Sequence, residues 1–267
     1  MVNDRGPSVD NERRTGAPAL ARGLRVLELL ADSESLSLTE VAVALDLPKS
    51  SAHHLIGALI DAGWAERDPA TMRVTLGLRA WEVGQAYDGA QSLSQRARPF
   101  MDAVRDATGE TVRLAIRSGA DQVCLAKSHG THKLVFDQRI GARLPCHATG
   151  LGKALLTALD DAGLTELYGN GELEVFTEHT RPDVASLRAD VSAARERGWA
   201  DDDGEYILGI RCVAVPVFDR GGEVVAALSV SGTTARFSAE QADRCRHELQ
   251  QAAGELAQRL GEHTLPA

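Results

Sequence analysis

Two apolar runs, at residues 211–218 and 223–231, face each other across Gly221-Gly222 and constrain the fold more than any other stretch. Each has the length of a strand, and paired glycines between two such runs signal a β-hairpin. A lone hairpin is marginal in water, so this one demands more strands or a helix against its apolar face. Just upstream, Gly198 to Glu205 places four acids (Asp201, Asp202, Asp203 and Glu205) before a turn at Gly209 and a lone thiol, Cys212. Two adjacent strands are thereby expected to carry Asp202, Cys212, Ser229 and Ser231, a small polar set against an apolar wall. Ser229 and Ser231 are two residues apart and share one strand face. A mostly apolar lining with a few placed polar groups is the composition of a small-ligand pocket.

The chain has 267 residues, enough for one large or two modest domains with a sizeable core. Its formal net charge of −9 argues against a protein that coats nucleic acid or anionic membrane over its whole surface, but leaves room for a local basic face. The four cysteines (Cys124, Cys146, Cys212 and Cys245) are widely spaced, with no CxxC pair. The polar start lacks the apolar stretch of a signal peptide, and no run approaches the roughly 18–20 apolar residues of a membrane span. A cytoplasmic protein with reduced thiols and no membrane partner is expected.

In chain order, residues 1–16 read as a disordered tail. A helix follows, with Leu20, Leu24, Leu27 and Leu30 on one stripe beside Gly23 and Val26. Ser37-Leu-Thr-Glu40 has capping-box spacing and opens a second helix. Pro48 suits the first turn of a third, which stops near Gly63. In that third helix Ala52, Leu55, Ile56 and Leu59 form an apolar face. Ser50, His53, His54 and Gly57 lie opposite, with Lys49 and Ser51 at the N-terminal rim. No acid intervenes between Asp46 and Asp61. Short hydroxyl residues, a Lys and imidazoles on an exposed helix front suit a major groove, where side chains meet base edges and phosphates. Residues 64–76 read as a two-stranded wing turning at Asp68-Pro69-Ala70, flanked by Arg67 and Arg73. The whole is a winged helix-turn-helix. The plainer alternative is a small helical core with a solvated polar face, and residues 1–87 hold nine Lys/Arg against twelve Asp/Glu.

Residues 76–89 read as a linker helix. After a polar break at 91–94 comes a helix over 95–108, then strands at 111–117, 122–127 and 133–138. Further helices are expected from 150 to 159, from 183 to 197 and from 239 to about 260, the last capped by Ser238. Helices and hairpins without βαβ alternation favour an α+β fold with an antiparallel sheet. The expected domains are a winged helix-turn-helix at 17–77, a linker helix at 78–94 and a ligand-binding domain at 95–262.

The C-terminal pattern resembles the signature of IclR-type bacterial transcriptional regulators, named for the isocitrate lyase regulator. It asks for Gly, three residues, Asp or Ser, two residues, Glu, six residues, Cys-aliphatic-small, two residues, then aliphatic-aromatic-Asp. Here that is Gly198, Asp202, Glu205, Cys212-Val213-Ala214 and Val217-Phe218-Asp219. The resemblance covers about residues 17–260. It implies a DNA-binding winged helix and a GAF-like effector domain, in a dimer or tetramer that regulates a catabolic operon, often as a repressor. It further implies a small organic acid as effector. The carboxylate would be held at Thr149-Gly150-Leu151-Gly152, and the site completed by Asp202, Cys212, Ser229 and Ser231. Free amides at a helix N-terminus attract anions, which agrees. Arg22 matches a family Arg that reaches the DNA backbone. His54 stands where relatives often have Arg, so the base or phosphate contact there is expected to differ.

The expected partners are double-stranded DNA with a near-palindromic operator, a small carboxylate and a second copy of the chain. No enzyme activity, cofactor or metal is expected. Cys212 would need a nearby base to act as a nucleophile, and His147 beside Cys146 is the nearest hint. Gly150-Leu-Gly-Lys153 lacks the upstream Gly and the following Ser/Thr of a phosphate loop. His129 and His132 with Cys124 and Asp137 are too loosely spaced for a metal site and read as a solvated loop. The different-class alternative is a small-molecule-binding protein or enzyme with a vestigial helix-turn-helix.

Overall fold

The computed structural model describes residues 17–131 and 138–261. The expected tail at 1–16, His132, Asp137 and almost all of the strand expected at 133–138 lie outside the described residues. Two compact units divide between Asp88 and Gly89.

In the first unit, helices α1 (Pro18–Ala31), α2 (Leu38–Ala44) and α3 (Lys49–Asp61) precede strands β1 (Ala65–Arg67) and β2 (Val74–Leu76) and helix α4 (Leu78–Gln85). Ser37 caps α2 in a full capping box: its hydroxyl accepts from Glu40 N, and Ser37 N donates back to Glu40 Oε2 at 2.7 Å. Gly63, with φ +78°, supplies the left-handed turn that ends α3. Antiparallel β1 and β2 form the wing, and Leu36 bridges to Val74 on its other edge. Val26, Leu30, Val41, Ile56, Ala65 and Val74 form the core. The stripe expected on α1 is only half right. Val26 and Leu30 are buried, whereas Leu20 is 63% and Leu24 51% exposed.

The second unit is built on a six-stranded sheet with helices on both faces. Its elements are α5 (Asp88–Thr108), β3 (Thr111–Ser118), β4 (Asp121–Ser128), β5 (Arg143–Pro145), α6 (Gly150–Leu156), α7 (Asp161–Tyr168), α8 (Val184–Arg197), β6 (Ala200–Asp203), β7 (Ile210–Phe218), β8 (Val224–Thr233) and α9 (Ala239–Gly261). The strand order is β5-β4-β3-β8-β7-β6, every neighbour pair antiparallel. On one face Val112, Leu114, Val213, Val215, Val217, Leu228 and Val230 pack with residues of α5 and α9. On the other, Ala115, Ala200, Ala214 and Ala227 meet Leu151, Ala154 and Leu155 of α6 and Ala194 of α8. Alanines on the sheet let α6 approach closely.

Several expectations shift here. The polar break expected at 91–94 is helical, because Leu93, Ala97, Met101 and Val104 share a buried face of α5 and packing outweighs propensity. The acid run at 201–203 forms a strand of its own, β6, so three strands rather than two carry the polar set. Helix α7 and the short β5 were not foreseen. Each is short and buries few side chains, a weak periodic signal.

Candidate functional site

Two rows of side chains cross the α6 face of the sheet. Asp202 on β6 pairs with Cys212 on β7, Cys212 with Ser231 on β8, and Ser231 with Thr111 on β3. One step along, Ala214 pairs with Ser229, and Ser229 with Arg113. Directly opposed residues point to the same face, so register alone gathers these groups. Above them the loop before α6 closes a cavity of about 500 Å³, part of it open to solvent. Its polar lining is Arg113, Gln122, Gln138, Thr149, Asp202, Cys212, Ser229 and Ser231. Its apolar lining includes Leu144, Leu151, Tyr206, Ile207 and Ile210.

The two loop glycines are there for space. A Cβ on Gly152 would stand 2.2 Å from Cys146 Cα, and one on Gly150 would stand 3.3 Å from Cys212 Sγ. Thr149 caps α6, its Oγ1 accepting from Gly152 N at 3.1 Å. The helix has only seven residues, so its macrodipole is weak.

The three consecutive acids part company. Asp201 pairs with Arg197 and Asp203 with Arg211, both near the surface. Asp202 turns inward, and its Oδ1 accepts from Glu205 N at 2.7 Å. Burial, reinforced by the nearby Glu205, pushes its carboxyl up to about 7 despite that hydrogen bond. Burial, and then Asp202, likewise push the Cys212 thiol up to about 11. It is therefore a thiol at neutral pH rather than a thiolate. His147 does not serve it as a base: the ring sits beside Cys146, its Nε2 lies 2.9 Å from Glu174 O, and burial lowers its pKa.

Lys153 is a helix residue. It is buried on α6, 2.6 Å from Glu205 Oε1 and 3.2 Å from Asp190 Oδ2, and Arg181 Nε reaches Asp190 at 2.6 Å. The signature Glu thus supports the turn that follows Asp202.

Among the described residues no cluster of three or more His, Cys, Asp or Glu could hold a metal, and no helix is long and apolar enough to cross a membrane. All four cysteines are buried, and none forms a disulfide.

In the first unit Lys49, Ser50, His53 and His54 stand exposed along the front of α3, and Ser51 is half-buried. The two imidazoles meet edge to face, centroids 6.1 Å apart. Arg22 and Arg67 are half-buried. Arg73 is committed inside the unit: it donates to Ser35 Oγ at 2.8 Å and Ser35 O at 2.7 Å, and pairs with Glu40 at 3.1 Å. It ties the wing to the start of α2.

Arg113, Gln122, Gln138, Leu144, Tyr206, Ile207 and Ile210 were not foreseen as cavity residues. Alternation marks Arg113 and Arg117 alike as one face of β3, yet Arg113 is buried and Arg117 exposed. No signal in the sequence separates them.

The family model for "Bacterial transcriptional regulator IclR C-terminal" matches residues 85–258, and that for "IclR helix-turn-helix domain" matches residues 19–69. The transcriptional regulator BhcR of Paracoccus denitrificans is 38% identical over 244 residues, covering 91% of this chain and 87% of its own. The repressor AllR of Escherichia coli K12 is 35% identical over 227 residues, covering 85% and 84%. The crystal structure of Thermotoga maritima IclR superposes with a TM-score of 0.72 at 26% identity, covering 91% of this chain and 98% of that one. An IclR homolog from Microbacterium hydrocarbonoxydans, complexed with 4-hydroxybenzoate, gives 0.78 at 27% identity, with the same coverage.

Proposed function

The chain belongs to the IclR family of bacterial transcriptional regulators, and from that premise we propose that it is a cytoplasmic repressor of a catabolic operon whose DNA affinity is set by a small organic acid. The observation that carries this reading is the cavity, where an apolar shell encloses a buried cation, three hydroxyl residues, a thiol and a carboxyl at one convergence. A structural relative is complexed with 4-hydroxybenzoate, a small hydroxylated acid.

The acid lies in the cavity bounded by Thr149-Gly150-Leu151-Gly152, with Asp202, Cys212, Ser229 and Ser231 around it. Arg22, Lys49, Ser50, Ser51, His53, His54 and Arg67 meet the DNA, and Arg73 acts mainly by setting the wing. The DNA-binding domain is 17–77 and α4 is the linker helix, while the effector domain begins with α5 rather than at 95, because Leu93 packs in its core. The active form is a dimer or tetramer. Helix α4 buries no residue within its unit and leaves Leu78 and Trp81 each 62% exposed, which favours cover by a second copy. Effector binding shifts the balance of DNA-competent and incompetent assemblies by its differential affinity for them.

The test is selection of bound fragments from the source genome by purified protein, over a salt series and with a panel of small carboxylates. One short, near-palindromic site, bound with steep salt dependence and released by one acid, is the expected result. Turnover of an acid without any DNA enrichment would replace this reading with an enzyme that keeps a vestigial helix-turn-helix.

A further inference from the structure

The charge in the cavity wall is not where the resemblance puts it. Arg113 is only 5% exposed, lines the cavity, and lies within electrostatic reach of the Cys212 sulfur. It is held by contacts within the protein, but a guanidinium has five N–H donors in a planar fork, more than one partner uses. Its strand partner Ser229 adds a hydroxyl on the same face. On β4, the strand beyond β3, Gln122 stands opposite Arg117, four residues along from Arg113; it is 2% exposed and also lines the cavity. Its Oε1 has no hydrogen-bond partner. A buried acceptor left unpaired carries its full desolvation cost until a donor reaches it. Gln138 is fixed nearby, its Nε2 donating to Ala142 O at 3.3 Å. At the opposite end stands the carboxyl of Asp202, three inter-strand steps or roughly 14 Å from the β3 backbone.

We propose that Arg113 and Gln122 are the specificity-determining pair of this site, selecting a monocarboxylate that bears a hydroxyl. The carboxylate takes the Arg113 fork and the Ser229 hydroxyl, and the ligand's O–H donates to Gln122 Oε1. A dicarboxylate is rejected, because its second anion meets the acceptor oxygen of Gln122 where the hydroxy acid presents a donor. This rests on the reading of the cavity as the effector site and adds to it the chemistry by which ligands are told apart.

The test uses the full chain and two matched series followed by calorimetry. One is 4-hydroxybutyrate, butyrate, 4-hydroxybutyramide and succinate. The other is 4-hydroxybenzoate, benzoate, 4-hydroxybenzamide and terephthalate. In at least one series the hydroxy acid binds best, and the amide and the diacid bind weaker by about tenfold or more. R113M loses that advantage over the amide, R113K keeps part of it, and Q122M loses the preference for the hydroxy acid over its deoxy partner. Thermal melting of each variant reports folding, and R113K serves if R113M does not fold. If folded R113M or R113K binds the hydroxy acid as tightly as the wild type and discriminates equally against the amide, the assignment of Arg113 is overturned while the effector site stands. If the wild type binds no member of either series, the effector-site reading falls and this inference with it.

Discussion

Lys153 Nζ lies 2.6 Å from Glu205 Oε1, and both side chains are buried where α6 meets the turn after β6. Glu205 N in turn donates to Asp202 Oδ1, and Thr180 Oγ1 donates to Glu205 O at 2.5 Å. One ion pair thereby joins the helix that roofs the cavity to the residue that forms its floor. Burial outweighs the attraction of Lys153 and holds the Glu205 carboxyl above its ordinary range, so the pair is one the fold maintains at a cost.

Removing one partner leaves an uncompensated buried charge. Lys153→Met is expected to destabilise the protein by about 3–5 kcal/mol, and the double variant with Glu205→Gln to recover part of that loss. Urea unfolding of the single and double variants checks this. Equal stability of wild type and Lys153→Met would show the pair to be solvated.

The Asp202 carboxyl predicts a pH dependence of stability. Its pKa is higher in the folded protein, about 7 against an ordinary 3.8, so the folded state binds the extra proton between those values. Its contribution to stability is full below pH 4 and is lost as pH rises to 7, a change of about 4 kcal/mol at most. Asp202→Asn removes this part of the slope and leaves that of Glu205, which has the same sign. Melting curves from pH 4 to 8 on both proteins read the difference, and parallel curves would refute it.

Glycines with different surroundings give opposite outcomes on substitution. Gly152→Ala drives a Cβ into the Cys146 backbone and is expected to cost about 3 kcal/mol or more. Gly23→Ala, in α1 with nothing within 4 Å of the new atom, is expected to be neutral or to stabilise by about 0.5–1 kcal/mol. Denaturant midpoints of the two variants provide the comparison.

At the front of α3, Lys49→Ala is expected to weaken DNA binding for all sequences and to reduce the slope of log affinity against log salt by about 1. Arg22→Ala should do the same. His54→Ala is expected to change which sequences are preferred more than it changes that slope. Fluorescence anisotropy on the selected site and on scrambled DNA separates the two effects.

The exposed side chains of α4 make a prediction about assembly. Trp81→Glu is expected to shift sedimentation toward monomer while leaving the far-ultraviolet spectrum unchanged, because Trp81 is 62% exposed within its own unit. An unaltered assembly would place the interface elsewhere.

Local rules in the chain determined much of this. The box at Ser37 and Glu40, the left-handed Gly63 and Gly198, and the hairpin around Gly221-Gly222 depend on neighbours in sequence and were legible from it. So was the polar set Asp202, Cys212, Ser229 and Ser231, since signature spacing and period-two alternation put those residues on one face. Only the tertiary structure decided what stands beside them. Arg113 and Gln122 come from strands about eighty or more residues away from that set, and pairing of β3 with β8 is what brings them to it. The same pairing buries Arg113 while Arg117, four residues along on the same face, stays in solvent. Leu20 and Val26 likewise share an apolar character, and only packing against α3 and the wing sets them apart. Sequence periodicity fixes which face a side chain takes, but what covers that face is a long-range contact that no local pattern encodes.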